Sequence, residues 1–377
     1  MPKLAQALSC FLPQFKRRNA LSNQQSKVLG SILACRTSAL GIGLHRVCDC
    51  GHELIAYNSC RDRHCPLCEG RATRRWQATQ CANLLPVPYH HCVFTIPDAL
   101  GTLVRYNEEL LYDQLFKVSA GCLASFFQND RRFRGQGAFM GILHTWGQRL
   151  QFHPHVHYLV ACAALRRDHT LAVSDGYLFD VKALSRVFRG RYLDAIEQLL
   201  QQSRLTFPPG WSRRSVCASL QQASRRNWCV YTKRPVCDPA KLVEYIGRYA
   251  RKVAVSESRI DSFDSSSITY RWKDYRDGLT KRAVVSASSF VRLFVQHILP
   301  FGFKRIRYFG FWRPGGLKRA REAMAVRGEK MRRCVETLLA AAEQLILSVG
   351  EPIWHCPRCG QLLQRLDLAP LPAPNTS

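Results

Sequence analysis

Acidic side chains are scarce in this chain: 27 Asp and Glu stand against 55 Lys and Arg in 377 residues, for a formal charge of +28. Solubility needs far less, so the imbalance points to a polyanionic partner, either nucleic acid or an anionic membrane surface. No apolar run approaches membrane-spanning length, and residues 1–30 carry no signal-peptide core or cleavage site. Nucleic acid is therefore the expected partner, with no membrane involvement. The chain also lacks an even set of cysteines. It has 17, many bunched at metal-ligand spacings, which argues for a reducing cytoplasm and zinc rather than a disulfide framework. Its length and hydrophobic content of 46% predict a globular protein of two or three domains.

What is present is organised around Gln151-Phe152-His153-Pro154-His155-Val156-His157-Tyr158-Leu159-Val160. This stretch alternates and then runs apolar through Ala164, which predicts a strand entering a packed sheet. On a strand His153, His155 and His157 share one face, and neighbouring imidazoles there present their nitrogens side by side, as a divalent ion requires. The plainer alternative is a set of half-exposed or core histidines. A second strand, Gly137 to His144, and the turn Thr145-Trp146-Gly147-Gln148-Arg149 lead back into it. Both His144 and Gln148 then fall near the His155/His157 face; Gln148 is the preferred third ligand and His144 is assigned to the core.

The cysteines suggest two zinc candidates. Cys48-Asp49-Cys50-Gly51-His52, then Cys60, then His64-Cys65-Pro66-Leu67-Cys68 supply more soft donors than one tetrahedral ion needs. Cys65 and Cys68 form one turn, and Cys48 with Cys50 would close the site from a facing turn. The short Cys48/Cys50 spacing leaves their place open to Cys60 or His64. Near the other end, Cys356-Pro357-Arg358-Cys359-Gly360 is half of a second site. Its other half is Cys334, Cys237 or His355, unless the knuckle holds no metal.

Periodicity and capping predict helices over 1–34 (with a cap near Ser22), 72–85, 104–128, 175–205, 288–298 and 335–349. Strands are expected at 90–97, 228–231, 259–263, 268–272 and 283–286. His90 and His91 face opposite ways on their strand and are read as structural or phosphate-contacting. The expected domains are a helical, zinc-binding 1–85, a central 86–300 and a basic 301–377 ending in a disordered tail. From Lys304 onward, Arg305, Arg307, Tyr308, Phe309, Phe311 and Trp312 interleave cations with aromatics, a pattern suited to unpaired nucleic acid.

Asp238-Pro239 opens a further helix on which Tyr245 and Tyr249, four residues apart, share one face. Arg248, Arg251 and Lys252 make that helix cationic, which a buried core helix has no reason to be. A phenol is a weak nucleophile at neutral pH. Beside an ion that polarises a phosphodiester, it becomes competent to attack phosphorus.

Taken together, Thr145-Trp146-Gly147-Gln148, His153-Pro154-His155-Val156-His157 and Tyr245-Ile246-Gly247-Arg248-Tyr249 resemble the two-tyrosine HUH transposases of rolling-circle bacterial insertion sequences. Residues 58–68 are similar to that family's N-terminal zinc-binding domain, and residues 301–310 to its C-terminal part. The resemblance implies an α+β fold with a central antiparallel sheet of HUH-nuclease type. It also implies a metal-dependent single-strand DNA endonuclease and strand transferase acting at element ends and target DNA in the bacterial nucleoid. His155 and His157 match the metal pair, and Tyr245 and Tyr249 the nucleophiles. The cofactors implied are structural Zn²⁺ and catalytic Mg²⁺ or Mn²⁺. A rolling-circle replication initiator or relaxase is the related alternative. A non-catalytic zinc-dependent nucleic-acid-binding protein is the alternative from another class. The zinc module and the full-length likeness favour the transposase.

Overall fold

Two amphipathic helices, α1 (Lys3–Lys16) and α2 (Asn23–Ala34), begin the fold. The computed structural model describes residues 3–174, 180–232, 253–313, 315–325, 340 and 355–366. Ser22 caps α2 as its sequence predicts: its Oγ accepts from the Gln25 amide at 3.1 Å, and the Gln25 side chain accepts from the Ser22 amide at 3.0 Å. A hairpin of β1 (Ile42–Val47) and β2 (Glu53–Tyr57) follows, and then α3 (Pro66–Ala82). No strand was expected at this hairpin, because its burial is partial along its whole length and leaves no clean apolar alternation to detect.

The central sheet is antiparallel. It contains β3 (Tyr89–Thr95), β4 (Gln136–Trp146), β5 (Phe152–Leu165), β6 (Leu171–Val173), β7 (Val230–Thr232) and β11 (Ile306–Gly310). The spatial order is β11-β4-β5-β3-β7, with β6 paired to β5, so the histidine strand β5 lies in the middle. One face carries Val156, Tyr158, Val160 and Cys162 into a core shared with α4 (Gly101–Tyr106), α5 (Glu108–Asn129), α6 (Val181–Gln201) and α7 (Arg213–Ser224). The other carries Leu159 and Ala161 into a separate core with Trp76, Phe311 and Trp312. A strand covered on both faces reads as a continuous apolar run, as residues 158–165 do. Gly141 lies opposite Tyr158 in the β4–β5 ladder. A Cβ there would come within 2.6 Å of the tyrosine ring, so glycine makes the space in which Tyr158 reaches Ser119 Oγ at 2.8 Å.

A second, smaller sheet of β8 (Ile260–Phe263), β9 (Ser267–Lys273) and β10 (Thr280–Ser286) leads into α8 (Ala287–Val295). Leu8 and Phe11 of α1 and Val28 and Ile32 of α2 share one core with Ile268, Tyr270, Phe290 and Val291. The first helices therefore pack on residues 254–298. Similarly, β11 pairs with β4, and α9 (Gly316–Ala325) covers the sheet with Ala320 and Met324, so residues 306–325 belong to the central layer. The last strand, β12 (Gln364–Leu366), pairs antiparallel with β1 and places His45 opposite Leu366.

Candidate metal centres and active site

Alternation along β5 puts His153, His155 and His157 on one face, as expected, and the β4–β5 register sets His144 directly opposite His155. Donor atoms of His144, His155 and His157 all lie within 4.8 Å of one another. The His155 and His157 ring centroids are 4.7 Å apart, and His144 is 4.6 Å from His157. His144 also stacks on Trp146, with centroids 4.7 Å apart and planes within 17°.

The protonation of the pair follows from its partners. His155 Nδ1 is 2.6 Å from the carbonyl oxygen of His153. A carbonyl only accepts, so Nδ1 carries the proton and Nε2 keeps its lone pair. Burial pushes His155 down to about 4, so the ring is neutral at physiological pH. His157 Nδ1 lies 2.8 Å from His91 Nε2, and the two rings are parallel within 6°. With the proton on His157 Nδ1, its Nε2 is the nitrogen that carries the lone pair. Three imidazole nitrogens on one rigid face are a donor set that fits a divalent ion of the Mn²⁺ or Zn²⁺ type. His91, read from sequence as structural or phosphate-contacting, is the hydrogen-bond partner of the His157 ring.

Gln148, the expected third ligand, is half-buried in the turn after Trp146; its Nε2 donates to Tyr275 Oη at 3.1 Å. Strand alternation ends before the turn, whereas His144 is still on the ladder, so His144 is the residue brought to the histidine pair. Tyr245, Tyr249, Arg248, Arg251 and Lys252 lie outside the described residues, as do Cys237 and Cys334. Val253 and Ala254 line a pocket together with Trp146, Arg63 and Arg305. Arg307 is placed differently: it is paired with Asp113 and sits over the rings of Phe116 and Phe303, holding β11 to α5. A cationic site the sequence reading did not isolate lies at the other end of β5. There Arg134, Arg166, Arg167, His169 and Arg319 line an open pocket. Its signal was the paired arginines Arg166-Arg167 at the end of the strand.

The cysteines separate into two tetrads, which corrects the expectation that Cys48 and Cys50 face Cys65 and Cys68. Cys35, Cys60, Cys65 and Cys68 form one, with Cys35 at the end of α2 and Cys65 and Cys68 at the start of α3. Cys68 Sγ is 3.5 Å from both Cys35 and Cys60 Sγ. A hydrogen bond from Cys60, above other causes, pushes Cys65 down to about 5, into the thiolate form that zinc takes as a ligand. Cys35 was missed because nothing in its local spacing marks it. His64 is not a ligand here: its Nδ1 is 2.8 Å from Asp62 Oδ1, and its Nε2 accepts the Leu299 amide at 3.2 Å. Arg63 beside it donates to the Pro300 carbonyl at 3.0 Å, so this turn fastens the cysteine module to the chain around 299–303. The second tetrad is Cys48, Cys50, Cys356 and Cys359. Against the pull of burial, the amides of Cys359 and Arg358 bring Cys356 down to about 6.

An antiparallel α+β fold with an imidazole cluster on its central strand and thiolate tetrads at its flank belongs to a metal-binding protein built for a polyanion. Residues 137–321 match the family described as "Putative transposase", and residues 7–96 match the "Transposase zinc-binding domain". The chain belongs to this transposase family, whose members are enzymes acting on DNA, and it carries the family's structural zinc domain. It is 35% identical over 359 residues to "Putative transposase y4qJ" of Sinorhizobium fredii, covering 92% of this chain and 89% of that protein. It is 33% identical over 302 residues to the "Transposase for insertion sequence element IS801" of Pseudomonas savastanoi pv. phaseolicola, covering 77% and 71%. No solved structure matches the chain. Among the described residues no helix is long and apolar enough to cross a membrane.

Proposed function

We propose that the chain nicks single-stranded DNA at the ends of its element through a 5′-phosphotyrosine link and transfers that strand to a target, in the rolling-circle manner. The observation that carries this reading is the convergence of His144, His155 and His157 on one sheet face. A bound Mg²⁺ or Mn²⁺ there would supply Lewis-acid polarisation of the scissile phosphate. The histidines hold that position, and His153 O and His91 fix the rings that point at it.

Tyr245 and Tyr249 are the proposed nucleophiles. Attack forms a bond from the phenolic oxygen to phosphorus and breaks the bond from phosphorus to the 3′ oxygen, which leaves as a hydroxyl after taking up a proton. Two tyrosines allow one strand to be held while a second is cut. Connectivity supports the pairing: Val253 lines the pocket beside Trp146, which stacks on His144. A chain of four residues from Tyr249 to Val253 spans at most about 14 Å. Arg305 on the same pocket, with Arg248, Arg251 and Lys252, would contact backbone phosphate.

The test is a labelled single strand bearing a candidate element end, incubated with the protein and Mn²⁺ and then denatured. A protein-linked DNA band that is lost in Tyr245→Phe/Tyr249→Phe and with chelator supports the proposal. A band that survives removal of both hydroxyls overturns the nucleophile assignment. Binding with no covalent adduct under any metal condition would leave only the non-catalytic alternative.

A further inference from the structure

We propose that Cys48, Cys50, Cys356 and Cys359 hold a second structural zinc ion, which clasps the C-terminal knuckle onto the N-terminal hairpin. This is independent of the nicking chemistry. It uses none of the cysteines of the first tetrad.

The sulfur spacing is the first support. Cys48 Sγ lies 3.3 Å from Cys359 Sγ, and Cys50 Sγ lies 3.6 Å from Cys356 Sγ. A tetrahedral ion with Zn–S bonds of about 2.3 Å has its sulfurs roughly 3.8 Å apart, whereas a disulfide needs about 2.05 Å. The observed distances lie close to the edge length of a thiolate tetrahedron and far from a covalent bond.

The second support is that both partners are knuckles of the same design. The Gly51 amide donates to the Cys48 carbonyl at 2.9 Å, and the Gly360 amide to the Cys356 carbonyl at 2.8 Å. Both glycines are left-handed, at φ 79° and 76°, which a side chain would resist. The first cysteine amide of each knuckle donates onward, Cys48 to the His52 carbonyl and Cys356 to the Gln361 carbonyl. The shorter loop thus completes the same pattern with one residue fewer, which accounts for the single residue between Cys48 and Cys50. Arg358 N lies 3.4 Å from Cys356 Sγ, an amide–sulfur bond that suits a thiolate ligand.

The third support is what the sheet lacks. Strands β12, β1 and β2 form a sheet of their own, yet among the described residues the core beside them is small: Cys48, Cys356 and Leu363, with Cys50 and Leu54 packed against them. So little apolar burial does not hold a three-stranded sheet together, and a metal is the usual staple for a module of this size. Segments 306 residues apart in sequence meet here.

Cobalt substitution of the full-length protein tests this. Tetrahedral thiolate cobalt has an intense sulfur-to-metal band whose strength follows the number of thiolates. Wild type should show the intensity of both tetrads. Cys356→Ser/Cys359→Ser should show half of it, lose one zinc per chain, and expose Cys48 and Cys50 to alkylation. The remaining half reports that the first tetrad is still folded. Cys359→His, which keeps a ligand, should retain the second metal with a weaker band. Wild type with the intensity of only one tetrad, unchanged in the double variant, would overturn the proposal. So would recovery of a Cys48–Cys359 or Cys50–Cys356 disulfide from protein isolated under reducing conditions.

Discussion

The His91 and His157 rings lie parallel, edge to edge, on adjacent strands, with Nε2 of the first 2.8 Å from Nδ1 of the second. One ring therefore governs which nitrogen of the other faces the metal position. His91→Ala should weaken Mn²⁺ binding about 10–100-fold, the usual cost of losing an orienting partner, while leaving zinc content and fold unchanged. Isothermal titration with Mn²⁺ measures it, and affinity within twofold of wild type would show that His91 only fills space.

His144 and Gln148 make opposite predictions. His144→Ala should reduce nicking at least as much as His155→Ala, because it removes one of three converging nitrogens. Gln148→Ala should cost less than about tenfold, since that amide is bonded to Tyr275. Single-turnover cleavage of one oligonucleotide by all three variants decides the order; Gln148→Ala as the most damaged would restore the ligand expected from sequence.

The arginine pocket lies ten residues along β5 from His155, about 33 Å away at 3.3 Å per residue. Arg134→Ala/Arg167→Ala/Arg319→Ala should lower the slope of log affinity against log salt by about 2 for a long single strand, at roughly 0.7 per phosphate contact. A strand too short to reach from the histidines to that pocket should bind the variant as it binds wild type. Fluorescence anisotropy across a salt series reads both. An unchanged slope on the long strand would mean that no phosphate sits there.

Glu108, in the first turn of α5, has its carboxyl pushed up to about 7 by burial, against the pull of Arg105. The folded chain keeps this proton to about pH 7, whereas the unfolded chain loses it near the ordinary value of 4.5. Stability should therefore be full below that lower value and fall as pH rises toward 7. Glu108→Gln removes the penalty and should be more stable than wild type at pH 8 by roughly 1–3 kcal/mol, with no difference at pH 4. Urea melts at the two pH values test this, and coincident curves for both proteins at pH 8 would refute it.

Local signals were enough for much of this molecule. Alternation around His153–His157 identified both the strand and the face its histidines share, and Ser22 marked a cap that is present. The difficulty came wherever partners were chosen across long separations. Cys35 joins Cys60 and Cys68, and Cys48 joins Cys359, by chain paths that no spacing rule follows. His144 was passed over for Gln148 because a buried histidine on an apolar strand reads as core until the register shows it facing His155. Arg307 looked like a nucleic-acid contact for the converse reason. Basic and aromatic residues in alternation fit a stacking surface, yet the same pattern packs an edge strand through Phe116 and Phe303.

The pairing of β12 with β1 also has a consequence during synthesis. A nascent chain emerging from the ribosome must leave Cys48 and Cys50 waiting until residue 359 has followed them out. A copy cut short by a premature stop codon would still make the three histidines and both proposed nucleophiles, but with its first hairpin left without the strand that pairs with β1. Among decayed insertion-sequence copies, an intact catalytic region would therefore be a poor guide to which ones can still move.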